Sequence, residues 1–284
     1  MPGRSLLVQI ILAMAAFAAN SVLCRLALRG GHIDPVSFSH LRLVSGALVL
    51  LPFLFREKAA ERTRWDAFNG LLLMAYAVLF SVAYIDLDTG TGALLLFGVV
   101  QLTMVIYGLF RGETFTTLRA GGLGLALAGM AILLLPGAKA PPLTSAVLMG
   151  LSGLAWAAYS IRGRVTVRPA RSTARNFVLA AIFSLPAIVF TGATGHADPT
   201  GIMLAIASGA IASAGAYVLW YALLPWLESV TASTVQLSVP CLAMLGGVVF
   251  LGEPLSWRMT LSMIAVLSGI WLVMRRPARM KTDA

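Results

Sequence analysis

Residues 229–276 read SVTASTVQLSVPCLAMLGGVVFLGEPLSWRMTLSMIAVLSGIWLVMRR, two long apolar runs joined by the polar turn Gly252-Glu253-Pro254. A bilayer core ~30 Å thick takes ~20 helical residues to cross, so this stretch predicts two crossings with a tight turn between them. The pattern occurs twice. Residues 90–135, GTGALLLFGVVQLTMVIYGLFRGETFTTLRAGGLGLALAGMAILLL, align to it without a gap at a constant offset of 140, with nine identities that include Gly112-Glu113 on Gly252-Glu253 and Gly129 on Gly269. A polar Gly-Glu pair held in register inside apolar sequence points to a duplicated membrane unit.

Composition agrees. Of 284 residues 59% are hydrophobic and 11% charged, and the mean hydropathy is +0.88. Soluble domains carry about a quarter charged residues, so an integral membrane protein is predicted. The net charge of +10 resides in loops between apolar runs, which favours membrane topology over a nucleic-acid partner. Cys24 and Cys241 stand in apolar sequence without motif partners, and the three histidines are scattered, so neither a disulfide, a metal site nor a cofactor is expected.

Spans are expected at about 5–28, 36–55, 66–86, 90–109, 116–136, 143–162, 175–192, 201–223, 230–250 and 257–275. Arg4 and Ala16-Phe17-Ala18 imitate a secretory signal, but Ala155-Trp156-Ala157 occupies the same place in the second half, so the first span is expected to be retained. The Pro-rich Lys139-Ala140-Pro141-Pro142 marks the joint, giving a first five-helix repeat over 1–138 and a second over 143–284. With the N-terminus inside, sixteen Lys and Arg fall on the cytoplasmic side and four (Arg25, Arg29, Lys139 and Arg258) on the other. Both termini are therefore expected in the cytoplasm of a multi-pass inner-membrane protein. Five spans per half is an odd number, so the second repeat is inverted relative to the first.

Polar and aromatic residues inside spans are the candidates for a site, because such groups face a bundle interior or a cavity. Phe17, Asn20, Ser21 and Cys24 share one face of the first span; Trp156, Tyr159, Ser160 and Gly163 are their counterparts in the sixth, at an offset of 139. Asn20 can bind a polar solute or serve an interhelical hydrogen bond. Tyr76, Phe80 and Tyr84 recur at helical spacing in the third span, and Tyr217, Trp220 and Tyr221 cluster in the eighth. These stripes serve either binding or packing; Tyr76, Tyr217 and Trp220 are the deeper ones, with Tyr84 and Tyr221 expected near an interface.

Gln101 stands near mid-depth in the fourth span, and Gln236 in the ninth precedes Pro240, whose missing N–H breaks a helix or merely kinks it for packing. His40 and Arg42 begin the second span. Arg42 is expected to reach water or to pair with Asp34, Asp86 or Asp88 in a structural role. Glu113 and Glu253 are expected to satisfy free N–H groups at a helix start rather than to do chemistry. Asp86-Leu87-Asp88 is too isolated for a metal-using transferase, and no nucleophile, zinc-binding or phosphate-loop motif is present, so no enzyme is expected.

Taken together, the Asn20-containing first span ending Cys24-Arg25-Leu26-Ala27-Leu28, the segment Asp34-Pro35-Val36-Ser37-Phe38 leading to Leu41-Arg42, and the twice-used Gly-Glu turn resemble the drug/metabolite transporter superfamily, specifically its EamA branch. Within the branch the likeness is greatest to bacterial exporters of aromatic amino acids. The resemblance covers essentially the whole chain. It implies an all-α integral membrane fold of ten transmembrane helices in two inverted five-helix repeats around a central cavity. It also implies export of small solutes by alternating access; the expected protein is a monomer, solvated by membrane lipid, that exports amino acids and related metabolites. This sequence departs from the branch in lacking a proline in its fourth span while keeping Pro240 in its ninth. Transport of nucleotide sugars or cationic drugs is the nearest alternative, followed by a membrane enzyme and a channel.

Overall fold

The computed structural model describes residues 3–55, 65–113, 116–134, 142–190, 196–255 and 257–274. The joint expected at 139–142 (Pro142 excepted) and the basic positions 56–64 and 275–281 lie outside the described residues. The described chain is helical, and its one β-bridge joins Ile33 to Ala197. The helices are α1 (Gly3–Arg29), α2 (Pro35–Phe55), α3 (Ala67–Ala83), α4 (Thr89–Phe110), α5 (Thr117–Leu134), α6 (Leu143–Gly163) and α7 (Pro169–Phe190), then α8 (Pro199–Trp226), α9 (Ser229–Leu251) and α10 (Trp257–Met274). Six of them (α1, α2, α4, α6, α8 and α9) are long and apolar enough to cross a membrane; Ala67–Ala83 and Thr260–Val273 are shorter apolar helices.

Helix starts follow local chemistry. Asp66 accepts from the Asn69 N–H at 3.1 Å, Asp198 from Gly201 at 2.8 Å, and Asp34 from Val36 and Ser37 at 3.0 and 2.9 Å. Each thereby satisfies donors that a helix start leaves free. Proline at the first turn of α2, α7 and α8 helps in the same way, since the lost N–H would be unpaired there. The start of α7 at Pro169 is six residues earlier than the sequence suggests, which puts Arg171 and Arg175 on the helix rather than in a loop. Gly112 and Gly252 leave α4 and α9 with φ of 75° and 64°, the left-handed region where glycine is favoured.

Two helices are irregular, each for a readable reason. In α8 the small-residue run Ala207–Gly215 is wound as a π-helix, which leaves backbone carbonyls free of their usual partners. In α9 the helix is interrupted at Leu237, between Ser229–Gln236 and Ser238–Leu251. Pro240 has no N–H to offer the carbonyl four residues earlier, that of Gln236, and the break falls there.

The two halves pack mainly on each other. Helices α5 and α10, α2 and α7, and α4 and α9 meet their own repeat counterparts, while α1 lies against α8 and α9 just as α6 lies against α3 and α4. Gly122 and Gly129 of α5 and Gly269 of α10 let the two helices approach so closely that a Cβ at any of them would collide with the facing helix.

Candidate functional site

Where α1, α2, α3, α6 and α8 converge, aromatic rings fill the centre. Trp156 contacts Phe17 at 5.3 Å between centroids, Tyr76 at 4.9 Å, Tyr159 at 5.7 Å and Tyr217 at 4.8 Å. Trp220 and Tyr217 each meet Phe17 at 5.8 Å. All these side chains are buried. Tyr84 and Tyr221 are buried as well; their hydroxyls donate to the backbone carbonyls of Thr89 and Tyr159, both at 3.1 Å. Their rings continue the cluster, Tyr84 against Phe80 and Tyr221 against Tyr159.

The polar groups form two networks around these rings. On one side Asn20 donates to the Ala212 carbonyl at 3.0 Å and accepts from the Ser208 and Ser213 hydroxyls at 2.8 and 3.1 Å. All three partners lie on the π-wound part of α8, whose exposed carbonyl this amide satisfies. On the other side the Trp156 indole N–H donates to Gln236 Oε1 at 2.8 Å, and Gln101 Nε2 donates to Thr234 Oγ1 at 3.3 Å. Gln101 Oε1 is buried and has no hydrogen-bond partner. Trp220 is held by Ser160, which accepts from its indole at 3.1 Å, and Tyr159 by Asn176, which donates to its hydroxyl at 3.3 Å.

Arg42 departs most from expectation. It neither reaches water nor meets an acid: it is 1% exposed and sits in the aromatic cluster. Its Nε donates to Ser213 at 2.9 Å, and Nη2 to the hydroxyls of Tyr217 and Tyr76 at 2.7 and 3.2 Å. Its guanidinium carbon stands 5.3 and 5.2 Å from the Tyr76 and Phe80 ring centroids. The three expected acids are engaged elsewhere. Asp34 caps α2, Asp86 accepts from Ser145 at 2.6 Å, and Asp88 lies 3.7 Å from Arg25. The reason is helical phase, which turns position 42 toward α8 instead of toward the loops. His40, one face away, bonds Ser184 of α7 at 2.8 Å. Ser208, Ser213, Thr234 and Asn176 were not singled out from sequence; the small-residue run around Ser208 and Ser213 was the one available signal.

Glu113 and Glu253 do cap helices, but each caps one belonging to the other half. Glu113 accepts from the Ser229 and Val230 N–H groups at 2.7 and 3.1 Å, at the start of α9. Glu253 accepts from the N–H and hydroxyl of Thr89 at 3.2 and 2.9 Å, at the start of α4. The reciprocal pair fixes α4 and α9 antiparallel. Burial favours the neutral form of Glu113, but the Ser229 and Val230 donors and the Arg164 charge outweigh it and hold its carboxyl below the ordinary value. Asp66 is likewise held low: burial opposes ionisation, and hydrogen bonds from Arg162 and Asn69 prevail. Among the described residues no group of three or more His, Cys, Asp or Glu is placed to hold a metal.

This two-halved helical bundle, with its core shared between the halves, has the form of a multi-pass membrane protein, and the chain belongs to the EamA-like transporter family, whose model matches residues 4–135 and again 143–275. An uncharacterised Pseudomonas aeruginosa protein is 48% identical over 276 residues, 96% of each chain. The uncharacterised transporter YwfM of Bacillus subtilis is 26% identical over 87% of each chain. A Streptantibioticus cattleyicolor protein named "Probable terminal-alkyne amino-acid exporter" is 25% identical over 97% of this chain and 95% of its own. A solved crystal structure superposes with a TM-score of 0.76 over 94% of this chain and 97% of its own, at 18% identity, a likeness of fold.

Proposed function

We propose that the chain is a secondary transporter that exports amino acids, aromatic ones among them, and related small metabolites across the bacterial inner membrane by alternating access. Ten spans in two inverted repeats, residues 1–138 and 143–284, rock about the shared core, and a single chain completes the site. Among the described residues Arg111, Arg119, Arg162, Arg164 and Arg168 gather at the end where α4 and α6 finish, against Arg25, Arg29 and Arg258 at the opposite end, which supports cytoplasmic termini. One observation carries the proposal. Where the halves meet, side chains from both build a buried cluster of rings and neutral amides, with Gln101 Oε1 left unpartnered. An unpaired buried acceptor costs about 1–3 kcal/mol, which a solute donor would relieve. The amino-acid exporter among the relatives points to the same solute class.

Uptake by the purified full chain in proteoliposomes, screened across labelled amino acids and nucleotide sugars, tests this. Saturable transport of phenylalanine, tyrosine or tryptophan is expected, and transport of no amino acid overturns the proposal. In the same assay Gln101→Leu should insert normally and raise the half-saturation concentration about tenfold. An unchanged value would leave Gln101 with a packing role.

A further inference from the structure

Arg42 carries a full positive charge into the middle of the bundle and is only partly satisfied there. A guanidinium has five N–H donors in a rigid fork. Nε and Nη2 are taken by Ser213, Tyr76 and Tyr217, while Nη1 is buried without any hydrogen-bond partner. All of its partners are neutral, so nothing among them balances the charge. A buried ion left uncompensated is strongly destabilising, and packing alone would be served better by an apolar side chain of similar volume. The two rings facing the guanidinium soften the cost without removing it. One free guanidinium nitrogen, with two N–H donors buried among aromatic rings, matches an oxygen of a carboxylate. The cluster that Arg42 joins through Tyr76 and Tyr217, with Phe17, Trp156 and Phe177, is aromatic, a chemistry that suits a ring or another bulky apolar body.

We propose that Arg42 Nη1 is the docking point for the carboxylate of the transported solute, so that the site selects ring-bearing carboxylic acids, with or without an amino group. This rests on the transport activity proposed above and adds to it the group that the protein must recognise. The solute's negative charge neutralises Arg42 on binding and leaves it uncompensated on release, so the empty core favours capture.

The test is direct binding to the purified full chain in detergent, with phenylalanine, 3-phenylpropionate and phenethylamine as probes at neutral pH. The first two carry the carboxylate; the last has the ring and the ammonium without it. The unmodified chain should bind phenylalanine and 3-phenylpropionate at least about tenfold more tightly than phenethylamine. Arg42→Gln should weaken both carboxylates about tenfold or more and leave phenethylamine unaffected, while Arg42→Lys, which keeps the charge but not the fork, should recover part of the loss. Arg111→Gln, at an exposed position, is the control and should bind like the unmodified chain. The three-probe comparison needs no variant, so poor folding of Arg42→Gln does not spare the proposal. Phenethylamine binding as well as 3-phenylpropionate, no binding of any probe, or carboxylate affinity unchanged in a folded Arg42→Gln overturns it. Arg42-dependent carboxylate binding without amino-acid flux in proteoliposomes would keep the anchor and overturn the export function instead.

Discussion

At one end of the α4–α9 pair Glu113 holds the start of α9 with an arginine beside it; at the other, Glu253 holds the start of α4 through neutral donors. Arg164 Nη2 stands 3.9 Å from Glu113, and Arg164 Nη1 donates to the Ser229 hydroxyl at 2.5 Å. Arg25 occupies the matching place in the first half, at the same offset of 139 that relates Phe17 to Trp156. There it does something else. Its Nη1 donates to the Tyr84 and Ile85 carbonyls at 2.9 and 2.8 Å, closing the end of α3, and Nη2 lies 3.7 Å from Asp88. The duplicated Gly-Glu turn thus caps the opposite repeat's helix at both ends, with two backbone N–H donors at Glu113 and one N–H and a hydroxyl at Glu253, while the duplicated arginine serves only the first. A carboxylate with a nearby cation and two backbone donors makes the firmer clasp, so the Glu253 end is expected to be the weaker of the two.

Removing each clasp in turn should produce the largest effect. Glu113→Ala strips two N–H groups at the start of α9 of their acceptor and leaves Arg164 without its acid. It should cost about 2–3 kcal/mol, whereas Glu253→Ala should cost about 1–2 kcal/mol. Apparent melting temperatures of the purified variants should therefore fall further for Glu113→Ala. The reverse order would contradict the asymmetry.

Acid should separate the ends next. The Glu113 carboxyl is depressed in the folded chain, so its contribution is complete above the ordinary value of 4.5 and is lost as pH falls through the lower folded value. The melting-temperature advantage of the unmodified chain over Glu113→Gln should stay constant at neutral pH and shrink below that point. An advantage that grows on acidification would mean that burial, rather than the Ser229 donors, governs this carboxyl.

Much of this was legible in sequence, and the gaps have physical causes. The helix positions, apart from the early start of α7, and the Gly-Glu repeat follow from apolar run length and a turn that needs glycine, both local properties. Pro240 announced the break in α9 for the same reason, since a missing N–H acts four residues away on the same helix. What Glu113 and Glu253 cap could not be read locally, because their donors at Ser229 and Thr89 belong to the opposite repeat and are brought near only by folding. Arg42 was misplaced by depth. Its distance along α2 from Pro35 suggested a route to water, but helical phase and the π-wound stretch of α8, which brings Ser213 into reach, decided its surroundings. The aromatic set around Trp156 was visible as stripes, and the contact between stripes of different helices was not.

The smallest effects should come from the turns themselves. Gly112 and Gly252 share the left-handed backbone, and a Cβ at either meets no atom within 4 Å, so alanine there costs backbone strain alone. Gly112→Ala and Gly252→Ala should each lose about 1 kcal/mol and differ little from one another. A much larger loss at one would place the difference between the ends in the turn rather than in the arginine.

The central claim, that solute crosses because the two clasps open in alternation about the aromatic core, is tested most directly by cross-linking each end. In a background with Cys24 and Cys241 replaced, paired cysteines at Thr89 and Glu253 join one end, and pairs at Glu113 and Ser229 join the other. Phenylalanine flux in proteoliposomes should stop with either end cross-linked and return on reduction. Undiminished flux with both ends cross-linked would contradict alternating access and leave a channel in its place.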